Sequence, residues 1–370
     1  MKVLLSALLL LLFAFEPSAS GKKLSDPVLS KRMELYHKIE AVTQIPWYAL
    51  AAVDQYEENV RSNRKDLPEK AGIISIYIPD DIWSGPENPN PKDDAPLSIK
   101  VFDGIGMDGD GDGKAEVSND EDILYTFSQY LLSYGTDEDN IRIGLWNYYR
   151  RDQTVGIISE FMKLFKAYYH IDLGEHAFPL PIRTDYSYRS TWGDARGFGG
   201  RRIHEGTDIF AHYGYLPVKS TCYGVVEMKG WNRFGGWRIG IRDINNTYHY
   251  FAHLNGFAKG IKTGQIVEPG TSDRISRQLR IRPPGTAGKF PPHLHYGMYK
   301  DNGRTEWSFD PYPHLRAWER YEYQKRSNKK PPLQQAAYLL LLFSFFESAP
   351  FSLLLGSWTE GVTPEPPLPL

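Results

Sequence analysis

A single cysteine, Cys222, stands in the 370-residue chain, which excludes any intrachain disulfide. Such a chain belongs either to the cytosol or to those exported proteins that fold without disulfides. Charge of one sign is missing as well. The 43 Lys plus Arg nearly cancel the 45 Asp plus Glu, so there is no broad basic field for nucleic acid or anionic lipid, and function has to come from local sites. Long apolar runs are absent too. Val3 to Phe15 has 13 residues, and Ala336 to Phe346 ends at Glu347 and Pro350; both fall short of the roughly 20 that span a bilayer. The helical zinc motif His-Glu-x-x-His does not occur, since Glu205 is followed by Gly206-Thr207-Asp208, and Gly206 speaks against a helix there.

What is present begins with an address. Met1-Lys2, the apolar run to Phe15 and then Pro17-Ser18-Ala19-Ser20 have the charged start, short hydrophobic core and small residues of a signal peptide, residues 1–20, with cleavage after Ser20. This predicts a body outside the cytoplasm, secreted or at the cell surface. The alternative is an uncleaved signal anchor, which would be the only membrane contact.

The remaining length suffices for two cores. Residues 26–172 read as a helical domain. Arg32 to Thr43, Tyr48 to Arg61, Asp120 to Tyr134 and Thr154 to Tyr168 repeat apolar residues at three- and four-residue spacing, and Pro46 suits a first helical turn. Residues 173–187, with Pro179 and Pro181, read as a linker. From Tyr188 the pattern changes to short strands between glycine turns: 224–228, 236–242 and 247–253, the pattern of an antiparallel sheet over 188–320. If the last segment is a strand, His249, Phe251 and His253 share one face. Residues 321–370 form a tail of uncertain structure that loses globular character from about Gln334. The predicted class is α+β multidomain.

The chemistry concentrates in the strand-rich half. His204-Glu205-Gly206-Thr207-Asp208 and His293-Leu294-His295 together offer the three ligands of a zinc ion that keeps one coordination position open for water. Residues two apart in a strand point to one face, so His293 and His295 both reach the same point, although only one of them need bind. Tyr248 to Leu254 adds His253.

With that third piece, the order His-x-x-x-Asp, Phe-x-His-Leu, His-x-His resembles the lysostaphin and LytM type of zinc peptidase, which cuts bacterial cell-wall peptide. The resemblance covers Tyr188 to about Arg320. It implies His204, Asp208 and His295 as zinc ligands, and His253 and His293 as catalytic residues that orient or deprotonate water and stabilise the oxyanion. Arg196, Arg201 and Arg202 precede the first ligand as in that family and would meet stem-peptide carboxylates. His212, His249 and His314 are left as structural. One stretch departs from the family: 271–282 is basic and without glycine, which points to a divergent loop or a reading-frame disturbance.

The helical half carries a second resemblance. Ile45 to Glu57, with Gly135 closing a later helix, is similar to a diverged lytic-transglycosylase or lysozyme-like domain, in which the glutamate at the position of Glu57 is the general acid. Here Glu58-Asn59-Val60 replaces the usual small residues, and no glutamine stands in Gly72 to Tyr77. With Asp54 and Glu58 as exposed neighbours, Glu57 reads as a vestigial acid on a solvated helix face. In the same domain, Asp108, Asp110, Asp112 and Glu116 occupy positions one, three, five and nine of a calcium loop, with Gly113 at six and Asn119 in place of the closing glutamate.

These readings imply a zinc-dependent endopeptidase acting on peptidoglycan stem peptides, with zinc and a possible calcium as cofactors and no nucleic-acid partner. The domain order looks most like the sporulation-associated endopeptidases of spore-forming bacteria that cut between L-Ala and D-Glu. The alternatives are a metal-free scaffold of the same fold, or a glycan-cleaving enzyme using Glu57.

Overall fold

The computed structural model describes residues 26–197, 201–211, 216–270 and 291–328. The signal segment, the divergent stretch 271–282 and the apolar run from Ala336 lie outside these. The chain divides into two units, Met1–Glu322 and Tyr323–Leu370; of the second, only the closing turns of a helix are described.

Among the described residues, seven helices come first: α1 (Pro27–Thr43), α2 (Trp47–Ser62), α3 (Asp80–Trp83), α4 (Pro96–Val101), α5 (Asp120–Leu132), α6 (Glu138–Tyr149) and α7 (Asp152–Tyr168). The four long segments with helical spacing are all helical. α1 starts where Asp26 accepts a hydrogen bond from the Val28 amide at 2.8 Å and Pro27 fills the first turn. Tyr36, Leu50, Phe127, Phe161 and Phe165 are fully buried between these helices.

Asp54 is not the exposed neighbour that the sequence predicts. It is fully buried, and it accepts hydrogen bonds from Arg32 at 2.6 and 3.0 Å and from the Tyr36 hydroxyl and the Ser75 amide. A buried carboxylate is tolerated only when its charge and lone pairs are satisfied in this way. Glu57, one turn on, is buried as well.

The strands are β1 (Tyr186–Tyr188), β2 (Ala195–Arg196), β3 (Arg202–Ile203), β4 (Thr207–Ala211), β5 (Gly224–Asn232), β6 (Gly236–Asp243), β7 (Thr247–Leu254), β8 (Ile266–Val267), β9 (His293–Asp301) and β10 (Glu306–Phe309), followed by α8 (Tyr312–Asn328). The main sheet is antiparallel in the order β1-β4-β9-β7-β6-β5-β8, with β10 added to β9 beyond β4. One face is dry: Ile209, Leu294, Tyr296, Phe251 and Ile239 are all fully buried. The alternate residues of the same strands form the opposite face, which carries the site.

The helices and the sheet belong to one unit. Asn59 donates to the Ile244 carbonyl at 2.8 Å, and Arg151 makes a two-pronged contact to the fully buried carboxylate of Asp301 at 2.5 and 2.9 Å.

Candidate active site

Strand register builds the site. On β4 and β9, Asp208 stands directly opposite His295 and Phe210 opposite His293. Side chains of such cross-strand partners share a face, so the Asp208 carboxylate and both histidines project together. His204 arrives from the loop before β4, held by hydrogen bonds between its backbone and that of Gly193 and Asp194, each 2.8 Å.

Three atoms converge. His204 Nε2 lies 2.9 Å from His295 Nδ1, and each of these nitrogens is 3.1 Å from Asp208 Oδ1. His204 Nδ1 faces the Thr191 carbonyl oxygen at 2.7 Å. A carbonyl only accepts, so that nitrogen carries the proton and Nε2 is left as a bare donor atom aimed into the cluster. Burial pushes the Asp208 carboxyl upward, but the adjoining imidazoles of His204 and His295 outweigh it and hold the group well below the usual carboxylate range. Burial also pushes His295 down, toward its neutral form.

The predicted common face of His249, Phe251 and His253 is corrected by the backbone. His249 and Phe251 point to the dry face, where both are fully buried. His253 has a left-handed conformation, φ 62°, beside a register shift between β6 and β7. This turns its ring to the other face, 4.7 Å from His293 and 6.0 Å from His295, centroid to centroid. Among the described residues its Nδ1 has no hydrogen-bond partner. Burial, and then the neighbouring His293 and His295, pull its pKa down to about 3. His293 Nδ1 faces the Pro291 carbonyl at 2.8 Å, which leaves Nε2 directed toward the cluster, 4.0 Å from Asp208 Oδ1.

Two supports escaped the sequence reading. Arg196, expected to meet substrate, instead holds the second Asp208 oxygen, Oδ2, at 2.6 Å. Gly206 is required by space: a Cβ there would fall 2.6 Å from His295 Cε1 and 2.7 Å from the Tyr296 carbonyl oxygen. A lone glycine two residues after a candidate ligand is the only sequence signal of that close approach. Beside the cluster, a cleft of about 320 Å³ is lined by His295, Arg202, Ile203, Glu205 and Tyr299. Arg202 thus faces the cleft; Arg201 is exposed and not among its lining residues.

The other candidate residues lie in the helical half. Glu57, predicted as solvated, lines a cavity of about 310 Å³ with Tyr77, Tyr148, Tyr149, Arg64 and Arg304. Its Oε1 accepts the Tyr149 hydroxyl at 2.7 Å, and burial raises its pKa to about 7. In the acidic loop, Asp108 and Asp110 gather with Asp122, which the sequence reading missed because it lies beyond the loop, in the first turn of α5. Asp112 and Glu116 are not part of that group: Asp112 caps the Lys114 amide, and the Glu116 amide donates to Asp122.

A three-donor cluster of two imidazoles and one carboxylate on an antiparallel sheet, with two further histidines over it, defines a metallopeptidase. Residues 202–307 match the model of Peptidase family M23, and the chain belongs to this family as a zinc metalloendopeptidase. It is similar to the L-Ala–D-Glu endopeptidase of Bacillus subtilis, with 95% identity over 326 residues, 88% of this chain and all of that protein. Among solved structures, it is similar to a LytM-type glycyl-glycine endopeptidase of Ruminococcus gnavus at 33% identity, covering 50% of this chain and 74% of that one with a TM-score of 0.33. It is also similar to the catalytic domain of lysostaphin from Staphylococcus simulans at 24% identity, covering 35% and 92% with a TM-score of 0.27.

Proposed function

We propose that this enzyme hydrolyses the amide bond between L-Ala and D-Glu in the stem peptides of bacterial peptidoglycan. The observation that carries the reading is the near identity, across that relative's whole length, to an enzyme named for this bond. Digestion of purified peptidoglycan, followed by mass spectrometry, tests it. New amino-terminal D-Glu is the expected product, and intact L-Ala–D-Glu links in every muropeptide would overturn it.

His204, Asp208 and His295 would hold the zinc. Their donor atoms stand 2.9 to 3.1 Å apart, close to the edge of roughly 3.3 Å that a tetrahedral site with zinc–nitrogen bonds near 2.0 Å requires. Zinc supplies Lewis acidity there, polarising a carbonyl and lowering the pKa of water. The other work falls to the chain's own groups. His293, with its proton fixed on Nδ1 by Pro291, offers Nε2 as the acceptor for a proton from the attacking water. His253, neutral and with an Nδ1 that has no hydrogen-bond partner among the described residues, is placed to orient the substrate carbonyl and to donate to the oxyanion as it forms. Arg196 neutralises the outer oxygen of Asp208 and keeps the inner one aimed at the metal position. This complete donor set speaks against a metal-free scaffold.

A second reading concerns the helical half, 26–172, as a diverged lysozyme-like domain. One observation favours a glycan-cleaving role: Glu57 holds a proton near neutral pH while facing a tyrosine-lined cavity. Anhydro-sugar products that vanish in Glu57→Gln would support it, and their absence from the parent digest would leave Glu57 structural. For the acidic loop the reading is calcium held by Asp108, Asp110 and Asp122. The signal segment supports action outside the cytoplasm, in cell-wall remodelling or sporulation.

A further inference from the structure

We propose that His176, Asp243 and His249 form a second zinc-type metal site, structural in role, on the face of the sheet opposite the active site. The three residues come from separate segments: His176 from the stretch joining helices to strands, Asp243 from the end of β6, and His249 from β7. Asp243 and His249 are fully buried, and His176 is covered by Trp318, whose ring stacks on it at 4.9 Å with an interplanar angle of 3°.

The hydrogen bonds direct two imidazole nitrogens and one carboxylate oxygen at each other. Asp243 Oδ1 is occupied by the amides of Asn245 at 2.9 Å and Thr247 at 2.8 Å, so Oδ2 is the oxygen left over. His176 Nε2 stands 3.2 Å from that Oδ2 and His249 Nε2 stands 3.0 Å from it. Each ring is turned by an oxygen on its far side: His176 Nδ1 faces the Gly174 carbonyl at 2.8 Å, and His249 Nδ1 faces the Tyr296 hydroxyl at 2.6 Å. Because the Gly174 carbonyl only accepts, His176 carries its proton on Nδ1 and presents a bare Nε2 lone pair to a carboxylate oxygen. That pairing is repulsive unless a metal ion lies between them or His176 takes a second proton.

The pattern repeats the one at the active site. There too a histidine, His204, is locked through Nδ1 on a carbonyl and aims Nε2 at a carboxylate 3.1 Å away. An outer oxygen that orients a metal-bound imidazole is the usual arrangement around zinc. The edges of 3.0 and 3.2 Å again approach the roughly 3.3 Å of a tetrahedral zinc site. Two imidazole nitrogens and one carboxylate oxygen suit zinc better than calcium or magnesium, which take oxygen ligands. A metal here would clamp the joining stretch to β6 and β7. Through Tyr296 it would also steady β9, which carries His295.

The test is a metal count on the purified full-length chain by plasma mass spectrometry after dialysis against metal-free buffer. Wild type should hold two zinc per chain, and His204→Ala, which leaves the buried cluster untouched, should still hold one. His204→Ala combined with His176→Gln should hold none. Zinc added to metal-stripped His204→Ala should raise its melting temperature, and should not do so once His176 is also replaced. A natively folded His204→Ala protein that holds no zinc, and whose melting temperature zinc leaves unmoved, would overturn the proposal: the three residues would then be a hydrogen-bonded network completed by a second proton on His176.

Discussion

The imidazole of His253 lies edge-on to that of His293 with ring centroids 4.7 Å apart, although the plain alternation of β7 would put the two rings on opposite faces of the sheet. The left-handed backbone at His253 makes the contact. It places a neutral imidazole over the cluster without adding it to the donor set. His253→Ala should therefore keep its active-site zinc and lower kcat by about 100-fold or more. By contrast His204→Ala, Asp208→Ala and His295→Ala should each lose that zinc and all activity. Metal analysis paired with turnover separates the two groups, and loss of zinc in His253→Ala would refute the division.

Arg196 acts at one remove, through Asp208. Arg196→Met frees Asp208 Oδ2 and should weaken zinc affinity by about 10- to 100-fold, while activity is restored at saturating zinc. Competition with a chelator measures the affinity. A substrate-binding role would appear instead as a raised KM with zinc affinity unchanged.

The fold should pull against pH through Glu57. Its carboxyl titrates near 7 in the folded protein against about 4.5 when unfolded, so the folded state holds a proton that the unfolded state has already released. Its stabilising share is complete below pH 4.5 and is lost as pH rises through 7, a difference of roughly 3 kcal/mol. Glu57→Gln should be more stable than wild type at pH 8, with the gap closing toward pH 4.5. Denaturant melts at four pH values check this, and parallel curves for the two proteins would contradict it.

Helices and sheet are joined by Arg151 and Asp301. Arg151→Met strands a fully buried carboxylate and should cost about 3 to 5 kcal/mol, measured by urea unfolding. A smaller loss in Arg151→Met combined with Asp301→Leu than in the single variant would identify the unpaired charge as the cause.

If the acidic loop takes calcium, millimolar calcium should raise the melting temperature of the full chain, and Asp110→Asn with Asp122→Asn should abolish the rise. Asp112→Asn should leave it in place, which separates the structural grouping from the one expected of the bare loop spacing.

The sequence by itself brought out the candidate metal donors. His293 and His295 share a face because strand alternation is a local rule, and Gly206 speaks against a helix between the first two donors. The long helices were legible for the same reason, since apolar spacing along a segment already says which side it buries. Only the tertiary structure decided the rest, because burial and charge pairing depend on segments far apart in the chain. Asp54 and Glu57 look solvated in a helix rich in acids, yet Arg32, 22 residues before Asp54, closes over the first and Tyr149 over the second. Arg196 looks like a substrate arginine until β2 sets it on Asp208. His249 and His253 follow one pattern in sequence, and a single positive φ sends them to opposite faces, one beside the active centre and one to Asp243. Local spacing carries the period of a strand; the point at which the backbone breaks that period is set by the neighbours it must pack against.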